Sequence, residues 1–396
     1  MTTRKRILLG AFGDPGHVFP ILALSEELVS RGHTVAIETA RHWQASVESV
    51  GAELIAAPEF QVFPTDAKPL QPYQAVVKAV NESRPRIEEF SPDLVVHDVL
   101  TIAPALAAEL IDIPRVTIIP HVYPVNTPGS PPYGIGGHPP RSALGRLLWK
   151  SLSRPISRGL SLGQRQYDEL RKQVGLEPRG ELYGSHSDLL VIVATLPQLE
   201  YPRIWPDHVH VTGPLFWEPE AADVPLPAGD RPLVMIAPST AQDPKHQMLR
   251  AALEGLESDQ FRVIATWNRR PIDNPPVTPA NTELVEWLSY SRTMPKCAAV
   301  VSNGGHGTIA RTLQAGAVPV VVPIAGDQFE NAARVEAGDL GIRLPTSLLS
   351  PKTLRLAVER ALSSDRFSSS VDEAAKWCNE HDGRANAADL IESTFA

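Results

Sequence analysis

An alternation of short apolar runs with amphipathic segments constrains the fold most, and it occurs twice along the 396-residue chain. The runs are rich in Val, Ile and Leu with little polar alternation, which is typical of strands buried on both faces of a parallel sheet. The first series comprises Arg6–Phe12, His33–Thr39, Ala52–Ala57, Asp93–Asp98, Arg115–Pro120 and Leu189–Thr195. The second comprises Leu233–Pro238, Phe261–Trp267, Thr282–Trp287, Ala299–Gly304 and Val318–Ile324. Together they predict an α/β protein with two Rossmann-like, doubly wound parallel-sheet domains.

A stretch rich in proline, alanine and acidic residues separates the two series and lacks periodicity, as a linker does. We therefore expect an N-terminal domain over 1–217, a linker over 218–231, a C-terminal domain over 232–378 and a final helix over 379–396. Two domains suit a chain of this length. Ligands of doubly wound sheets bind beyond the carboxyl ends of the strands, so the expected site is the cleft between the domains.

Composition excludes several classes of partner. The formal net charge is −8 without a basic block, which argues against nucleic acid because phosphate binding needs clustered Lys and Arg. The longest apolar stretches fall short of the ~20 residues of a membrane span, and the basic start leads into a strand-like run, so we expect a cytoplasmic protein. Cys297 and Cys378 stand apart from any Cys/His cluster, so no metal site is expected.

The first strand ends in a glycine-rich turn, Gly10–Pro20, that includes Gly16 and His17. His17 stands at the start of the following helix, where an imidazole can point into the cleft and take a proton near neutral pH. Asp98 ends another strand at the same edge, and a carboxylate behind an imidazole fixes its tautomer and stabilises the imidazolium. The pattern predicts a His17–Asp98 dyad, with His97 packing on the opposite strand face and His121 as a weaker candidate for the cleft.

A second glycine-rich turn follows the strand at Ala299–Val301 and precedes a helix. Backbone N–H groups at a helix N-terminus bind anionic phosphate, and glycines let the ligand approach closely. The turn consists of Ser302, Asn303, Gly304, Gly305, His306, Gly307 and Thr308. We expect it to hold a phosphate, with the Thr308 hydroxyl and the His306 imidazole as further donors.

The neighbouring strand tips carry groups for the rest of such a ligand. Asp327 and Gln328 offer a carboxylate and an amide, which bind sugar hydroxyls in pairs or, alternatively, cap the next helix. Trp287 is either a core residue or an indole on which a nucleobase stacks. In combination, these tips predict a site for a nucleoside diphosphate sugar.

On these motifs the chain resembles, essentially end to end, the family-one glycosyltransferases of the GT-B fold, of the bacterial natural-product kind. The resemblance is most specific from Trp287 to Gly341 and in the turn GDPGHVFP. It implies that His17 is the base that acts on an acceptor hydroxyl and that Asp98 assists it. It further implies that the last helix crosses back onto the N-terminal domain.

The resemblance also assigns the donor site. It implies that Trp287, with Leu288 beside it, binds the base and that Asp327 and Gln328 hold the sugar. Gly16 and the loop at Ser239 and Thr240 are assigned to the phosphates. Acceptor-binding segments are expected over 58–80, 121–137 and 139–171.

Two departures from the family pattern concern the nucleotide. Asn303 stands where many members have a histidine that contacts the pyrophosphate, so either Asn303 or His306 takes that role here. Arg311 stands where many users of UDP-sugars have a glutamate that binds the ribose. The donor is therefore expected to be a TDP- or a UDP-sugar.

The expected reaction is one displacement at the anomeric carbon with inversion, onto oxygen or carbon of a small hydrophobic acceptor. No metal and no bound cofactor is expected, and the protein is predicted to be a monomer or a homodimer. Two alternatives remain open at this point. One is a nicotinamide-dependent oxidoreductase, which Glu38 at the end of the second strand favours. The other is a non-catalytic partner protein that binds a nucleotide sugar.

Overall fold

The computed structural model describes residues 4–58, 72–127, 129–239, 243, 245–269, 272 and 274–395. Within these residues the N-terminal half forms a seven-stranded parallel sheet with the order β3-β2-β1-β4-β5-β6-β7. Its strands are β1 (Arg6–Gly10), β2 (Thr34–Thr39), β3 (Glu53–Ala56), β4 (Leu94–Asp98), β5 (Arg115–Ile119), β6 (Val191–Val193) and β7 (Val209–Val211). Its helices are α1 (Pro15–Ser30), α2 (Gln44–Ser49), α3 (Pro72–Phe90), α4 (Ile102–Glu109) and α5 (Ala143–Val174).

The C-terminal half forms a second parallel sheet, with six described strands in the order β10-β9-β8-β11-β12-β13. These are β8 (Leu233–Ala237), β9 (Arg262–Thr266), β10 (Thr282–Val285), β11 (Ala299–Ser302), β12 (Val318–Val321) and β13 (Ile342–Arg343). The helices are α6 (Gln247–Gly255), α7 (Tyr290–Thr293), α8 (His306–Gln314), α9 (Gln328–Ala337), α10 (Pro351–Ser363), α11 (Asp365–Glu380) and α12 (Gly383–Ser393).

Helices cover both faces of each sheet, which is why the strands read as continuous apolar runs. Every residue of β4, β5, β8 and β11 is buried. Apolar side chains on opposite faces of the first sheet join two separate core clusters, one with α1 and one with α3 and α4. The predicted fold class, two doubly wound parallel-sheet domains, is confirmed.

Three details differ from the expectation. The short strands β7 and β13 are additional, and the helix-prone segment after Pro139 forms one long helix, α5, that continues through Pro155. The expected boundary at 378/379 falls inside α11, and the break comes two residues later. There Asp382 caps α12 by accepting from the N–H of Arg384 at 2.9 Å. Residues 218–231 contain neither helix nor strand.

The last helix, α12, packs against α1 of the N-terminal half. Arg31 on α1 donates to Asp389 at 2.6 Å and to Glu392 at 2.9 Å, and His33 lies 2.9 Å from Glu392. Ala387, Ala388 and Ile391 of α12 are buried in the same core cluster as α1. The chain therefore crosses between the two halves twice, once at the linker and once before α12.

Candidate active site

Several of the predicted site residues lie at the points where the strand order reverses. In the first sheet this point lies between β1 and β4, and in the second between β8 and β11. His17 follows β1 and Asp98 ends β4. Ser239 follows β8, and the turn Ser302–Thr308 follows β11. Doubly wound sheets bind their ligands at such reversals because the loops there diverge and leave a crevice.

His17 and Asp98 form a hydrogen-bonded pair. Asp14 caps α1, and the helix begins at Pro15, so His17 stands in its first turn. Its Nδ1 atom lies 2.9 Å from the Asp98 carboxylate, which is completely buried. Nδ1–H therefore donates to Asp98, and Nε2 keeps its lone pair. Burial of the ring opposes a positive charge, but the hydrogen bond to Asp98 and its negative charge outweigh this and raise the pKa of His17 above its ordinary value.

Two further rings continue from His17 toward the other half of the protein. His121 lies edge-on to His17, with ring centroids 6.3 Å apart, and Tyr133 stacks on His121 at 6.0 Å. The Nδ1–H of His121 donates to the carbonyl of Val122 at 2.8 Å. Burial lowers the pKa of His121 and thus favours the neutral ring. The sequence made His121 a weaker candidate for the cleft than His17, but the two rings are neighbours.

The turn before α8 has the form expected of an anion site. Gly304 has a left-handed φ of 88°, and a Cβ there would lie 2.5 Å from a methyl carbon of Val321, so only glycine fits. Gly305 and Gly307 are exposed, and a Cβ at either position would meet open space. The hydroxyl-bearing Thr308 is half-buried in the first turn of α8. The first N–H groups of a helix lack intrahelical partners, and here the space beside Gly305 and Gly307 is open.

Two side chains of the turn, those of Asn303 and His306, make hydrogen bonds within the protein. The Asn303 amide donates to the carbonyl of Val322 at 3.1 Å and accepts from the N–H of Ser239 at 2.8 Å. His306 is buried, and its Nε2 lies 2.8 Å from the Thr195 hydroxyl of the N-terminal half. Asn303 therefore braces two strand tips and His306 joins the two halves. Both side chains are therefore engaged by contacts within the protein, and that one of them contacts the phosphate stays a prediction.

Asp327 and Gln328 lie at the start of α9. The Asp327 side chain makes no capping hydrogen bond to the backbone but accepts from the Asn331 amide at 3.0 Å. Gln328 accepts from the N–H groups of Ile324 and Ala325 at 2.9 and 3.2 Å, which leaves its Nε2 donor for another partner. Asp327 is close enough that its charge contributes to the raised pKa of His17. The two walls of the cleft therefore face each other.

Trp287 follows the edge strand β10 and is half-buried. The Arg269 guanidinium lies 5.0 Å from the centroid of its ring, and among the described residues the buried indole Nε1 has no partner. Leu288, beside it, is buried in a core cluster, so only its backbone can reach a ligand. Sequence reasoning missed Arg269, which lies in a turn without periodicity.

Three other predicted positions have distinct outcomes. Thr240 lies outside the described residues. So does most of the segment 58–80, which is expected to bind the acceptor. The N–H of Gly16 donates to the Asp14 side chain at 2.7 Å, so it is already used within the protein. Arg311 lies over the Phe216 ring at 4.2 Å from its centroid.

Glu38, which favoured an oxidoreductase, does not present its carboxylate to a ligand. It is buried and accepts a hydrogen bond of 2.7 Å from Ser83 on α3. His97 is likewise buried and lies 2.8 Å from the Thr117 hydroxyl, consistent with packing. In the described part of the chain, no group of three or more His, Cys, Asp or Glu side chains could hold a metal ion. Across the described helices, none combines the length and apolarity that crossing a bilayer demands.

Both halves of the chain match models of known protein families. Residues 7–118 match the N-terminal domain of glycosyltransferase family 28. Residues 252–391 match the C-terminal domain of proteins like erythromycin biosynthesis protein CIII. The predicted motifs at His17, Asp98 and the turn before α8 lie in or near these two matched ranges.

Similar proteins cover the chain from end to end. It is 28% identical to 4'-demethylrebeccamycin synthase of Lentzea aerocolonigenes, over 98% of this chain and 99% of that protein. It is 27% identical to O-mycaminosyltylonolide 6-deoxyallosyltransferase of Streptomyces fradiae, over 98% and 97%. The crystal structure of the glycosyltransferase of kitacinnamycin has the same fold, with a TM-score of 0.77 and 23% identity, covering 98% of this chain and 99% of that one.

Proposed function

We propose a specific reaction for this chain, which is a nucleotide-sugar-dependent glycosyltransferase of the GT-B fold, in family one with those of the bacterial natural-product kind. In this reaction, the protein transfers a hexose or deoxyhexose from TDP or UDP to a small apolar acceptor and inverts the anomeric centre. Because the chain is such an enzyme, the oxidoreductase and the non-catalytic partner protein are set aside. The cytoplasmic location and the monomeric or homodimeric state stay predictions.

One observation carries the proposal: the charge of Asp327 reaches the His17 imidazole, and Asn331 joins Asp327 to the carbonyl of Gly304 in the turn before α8. The hydrogen bond of 2.9 Å between His17 and Asp98 orients the imidazole. The exposed Gly305 and Gly307 mark the other wall, at the start of α8. A proton acceptor and an anion site on facing walls suit a reaction that deprotonates one substrate and releases a diphosphate from the other.

In the proposed reaction, Nε2 of His17 takes the proton of the acceptor hydroxyl as its oxygen forms a bond to the anomeric carbon. The bond between that carbon and the diphosphate oxygen breaks on the opposite face, and the diphosphate leaves with the electron pair. The Asp98 carboxylate stabilises the imidazolium, as in serine hydrolases. The N–H groups of α8 and the Thr308 hydroxyl stabilise the negative charge on the leaving group.

The donor is proposed from the groups at the second wall. Trp287 supports stacking of the nucleobase, and Asp327 with the free Nε2 of Gln328 supports binding of sugar hydroxyls. Arg311 is held over Phe216, in the position where users of UDP-sugars have a glutamate for the ribose. This departure makes a TDP-sugar at least as good a candidate as a UDP-sugar. One relative is named for a 6-deoxyallosyl group, which supports a deoxyhexose.

The acceptor class is proposed from apolar side chains beside the base. Phe12 and Leu100 are 51% and 55% exposed, and the Phe12 ring lies 6.0 Å from that of His17. Along α5, four more exposed leucines recur at helical spacing on one face, namely Leu144, Leu147, Leu148 and Leu152. Phe12 beside the His17 ring, together with the exposed leucines of α5, supports a hydrophobic acceptor. Transfer to carbon stays open, because a carbon nucleophile needs less help from a base.

The test uses purified protein with TDP- and UDP-hexoses and a panel of apolar alcohols and phenols, with product formation followed by mass spectrometry. His17→Ala should lower the transfer rate about 10²- to 10⁴-fold, the range for removal of a general base. His42→Ala, which removes an exposed histidine of the same half, is the matched control and should keep full activity. Near-full turnover of His17→Ala with an alcohol acceptor would refute the assignment of the base.

A further inference from the structure

Residues 133–136, here called the strap, belong to the N-terminal half but lie on α9 of the C-terminal half. We infer that the strap sets the spacing between His17 and the Asp327–Gln328 turn, so that Tyr133 and Gly136 are positioning residues for transfer. The inference rests on the proposed function, in which His17 is the base and this turn holds the donor sugar.

Three backbone contacts hold the strap on the C-terminal half. The N–H of Gly134 donates to Glu330 at 3.2 Å, and the carbonyl of Gly136 accepts from Arg343 at 2.7 Å. At Gly136 the backbone also touches α9: a Cβ there would lie 2.6 Å from the carbonyl oxygen of Phe329. Such an approach admits only glycine, because real Cβ atoms keep a larger distance from a backbone oxygen.

At the α9 end of this contact, the charged groups are buried and paired with one another. Glu330 and Arg334 are joined at 3.0 Å, and both are at most 3% exposed. Arg334 also donates to Glu200 at 3.0 Å, and Glu200 accepts from the N–H of Tyr123 at 2.6 Å. These groups connect α9 to the strand ends of the N-terminal half. A buried network of this kind rearranges only at a high cost in free energy, since each charge depends on the others.

The other end of the strap reaches the proton acceptor. Tyr133 stacks on His121 with an angle of 25° between the rings, and His121 meets the ring of His17 at 83°. The Tyr133 hydroxyl lies 3.4 Å from Nδ1 of His121, too far for a strong hydrogen bond, so the ring contact is the main one. A continuous series of contacts thus runs from the start of α9 through the strap to His17.

Transfer needs the acceptor oxygen, held near His17, to meet the anomeric carbon of a sugar held at Asp327. These residues lie on different halves, so their separation depends on contacts between the halves. A displacement of about 1 Å is enough to lower a rate about 10²-fold. The strap contacts the neighbours of both groups, namely His121 beside His17 and the first turn of α9 beside Asp327.

Two glycine substitutions distinguish a positioning role of the strap from an effect of backbone strain in the loop. Gly134 and Gly136 both have left-handed φ values, 88° and 63°, so alanine strains the backbone at either position. Only at Gly136 does the added methyl press on α9, since a Cβ at Gly134 meets no atom within 4 Å. Gly136→Ala should lower kcat about 10- to 100-fold relative to Gly134→Ala. The Kd for TDP or UDP should stay within about threefold, because none of the strap contacts involves Trp287 or α8.

Two readouts guard against a merely structural effect. Hydrogen exchange of the amides of 328–337 should be faster in Gly136→Ala than in Gly134→Ala. Tyr133→Ala should lower kcat, whereas Tyr133→Phe, which keeps the ring, should restore it. If Gly136→Ala does not fold, Arg343→Gln removes the contact to the Gly136 carbonyl without added bulk and should lower kcat with the same unchanged Kd.

Equal kcat values and equal exchange in the two glycine variants would overturn the inference, as would full activity of Tyr133→Ala. Hydrogen exchange needs no turnover, so it tests the strap independently of the base. Full activity of His17→Ala would instead overturn the proposed function and leave the contact between strap and α9 intact.

Discussion

Removal of the charge of Asp98 is the perturbation whose effect follows most directly from the geometry. Asp98→Asn keeps the shape and an acceptor oxygen but leaves the imidazolium formed during transfer without a counter-ion. With charges about 4 Å apart and an effective dielectric constant of about 20, their attraction is about 4 kcal/mol. Since about 1.4 kcal/mol corresponds to a factor of ten in rate, we expect kcat to fall about 10³-fold.

The pH dependence should change in a definite direction. Transfer requires neutral His17, so kcat/KM falls as the pH drops below the pKa of this residue. In the native protein, burial opposes the charge, but Asp98 outweighs it and raises that pKa. In Asp98→Asn, burial still opposes the positive charge of His17, and only the smaller influences of Asp14 and Asp327 favour that charge. The pKa of His17 should fall, and the acid limb of the profile should move to lower pH while its plateau drops.

The assay is the initial rate of product formation between pH 5 and pH 9 with both substrates saturating, and again with the acceptor limiting. Asp14→Asn is the matched control: asparagine still caps α1, and the lost charge is a smaller influence on His17. This control should stay within about threefold of the native rate. An Asp98→Asn protein with a rate within threefold of native, or with an acid limb displaced to higher pH, would refute the reasoning.

Two further predictions concern other parts of the protein. Trp287→Ala should raise the Kd for the nucleoside diphosphate about tenfold in titration calorimetry, because a stacked base contributes about 1–3 kcal/mol. Trp287→Phe should lose less affinity. An unchanged Kd would place the base elsewhere. Burial raises the pKa of Glu38 to about 7 from an ordinary 4.5, although the hydrogen bond from Ser83 opposes this. Because the folded state holds that proton more tightly than the unfolded state, stability should fall as the pH rises from 4.5 through 7. The melting temperature of Glu38→Gln should therefore decline less between pH 5 and pH 8 than that of the native protein, and parallel curves would contradict the assignment.

The fold was predictable because its strands are buried on both faces and follow one another with regular helices between them. The exceptions are informative. Strand β13 has two residues, both half-buried, and β7 has three, of which one is exposed. Strands this short at a sheet edge carry no apolar run, so only their pairing with a neighbour defines them.

The pairing of His17 with Asp98 was predictable because each residue lies at the end of a strand at the same edge of the sheet. The site was not predictable where contacts between the halves decide the direction of a side chain. His306 faces Thr195, which lies 111 positions earlier in the chain. Tyr133 lies in a proline-rich loop, and its neighbour Gly134 is held by Glu330, 196 positions away. Such long-range partners leave no local pattern in the sequence.

The return of α12 to α1 has a consequence for recombination between relatives. Lys5 Nζ lies 4.9 Å from the centroid of the Phe395 ring, so the residues before β1 and after α12 pack together on the N-terminal half. The C-terminal half is in effect inserted between them. A hybrid made with one crossover at the linker would carry a foreign α12 against the native α1, where Arg31 would face unmatched partners. Exchange of the C-terminal half as a unit requires a second crossover, between α11 and α12.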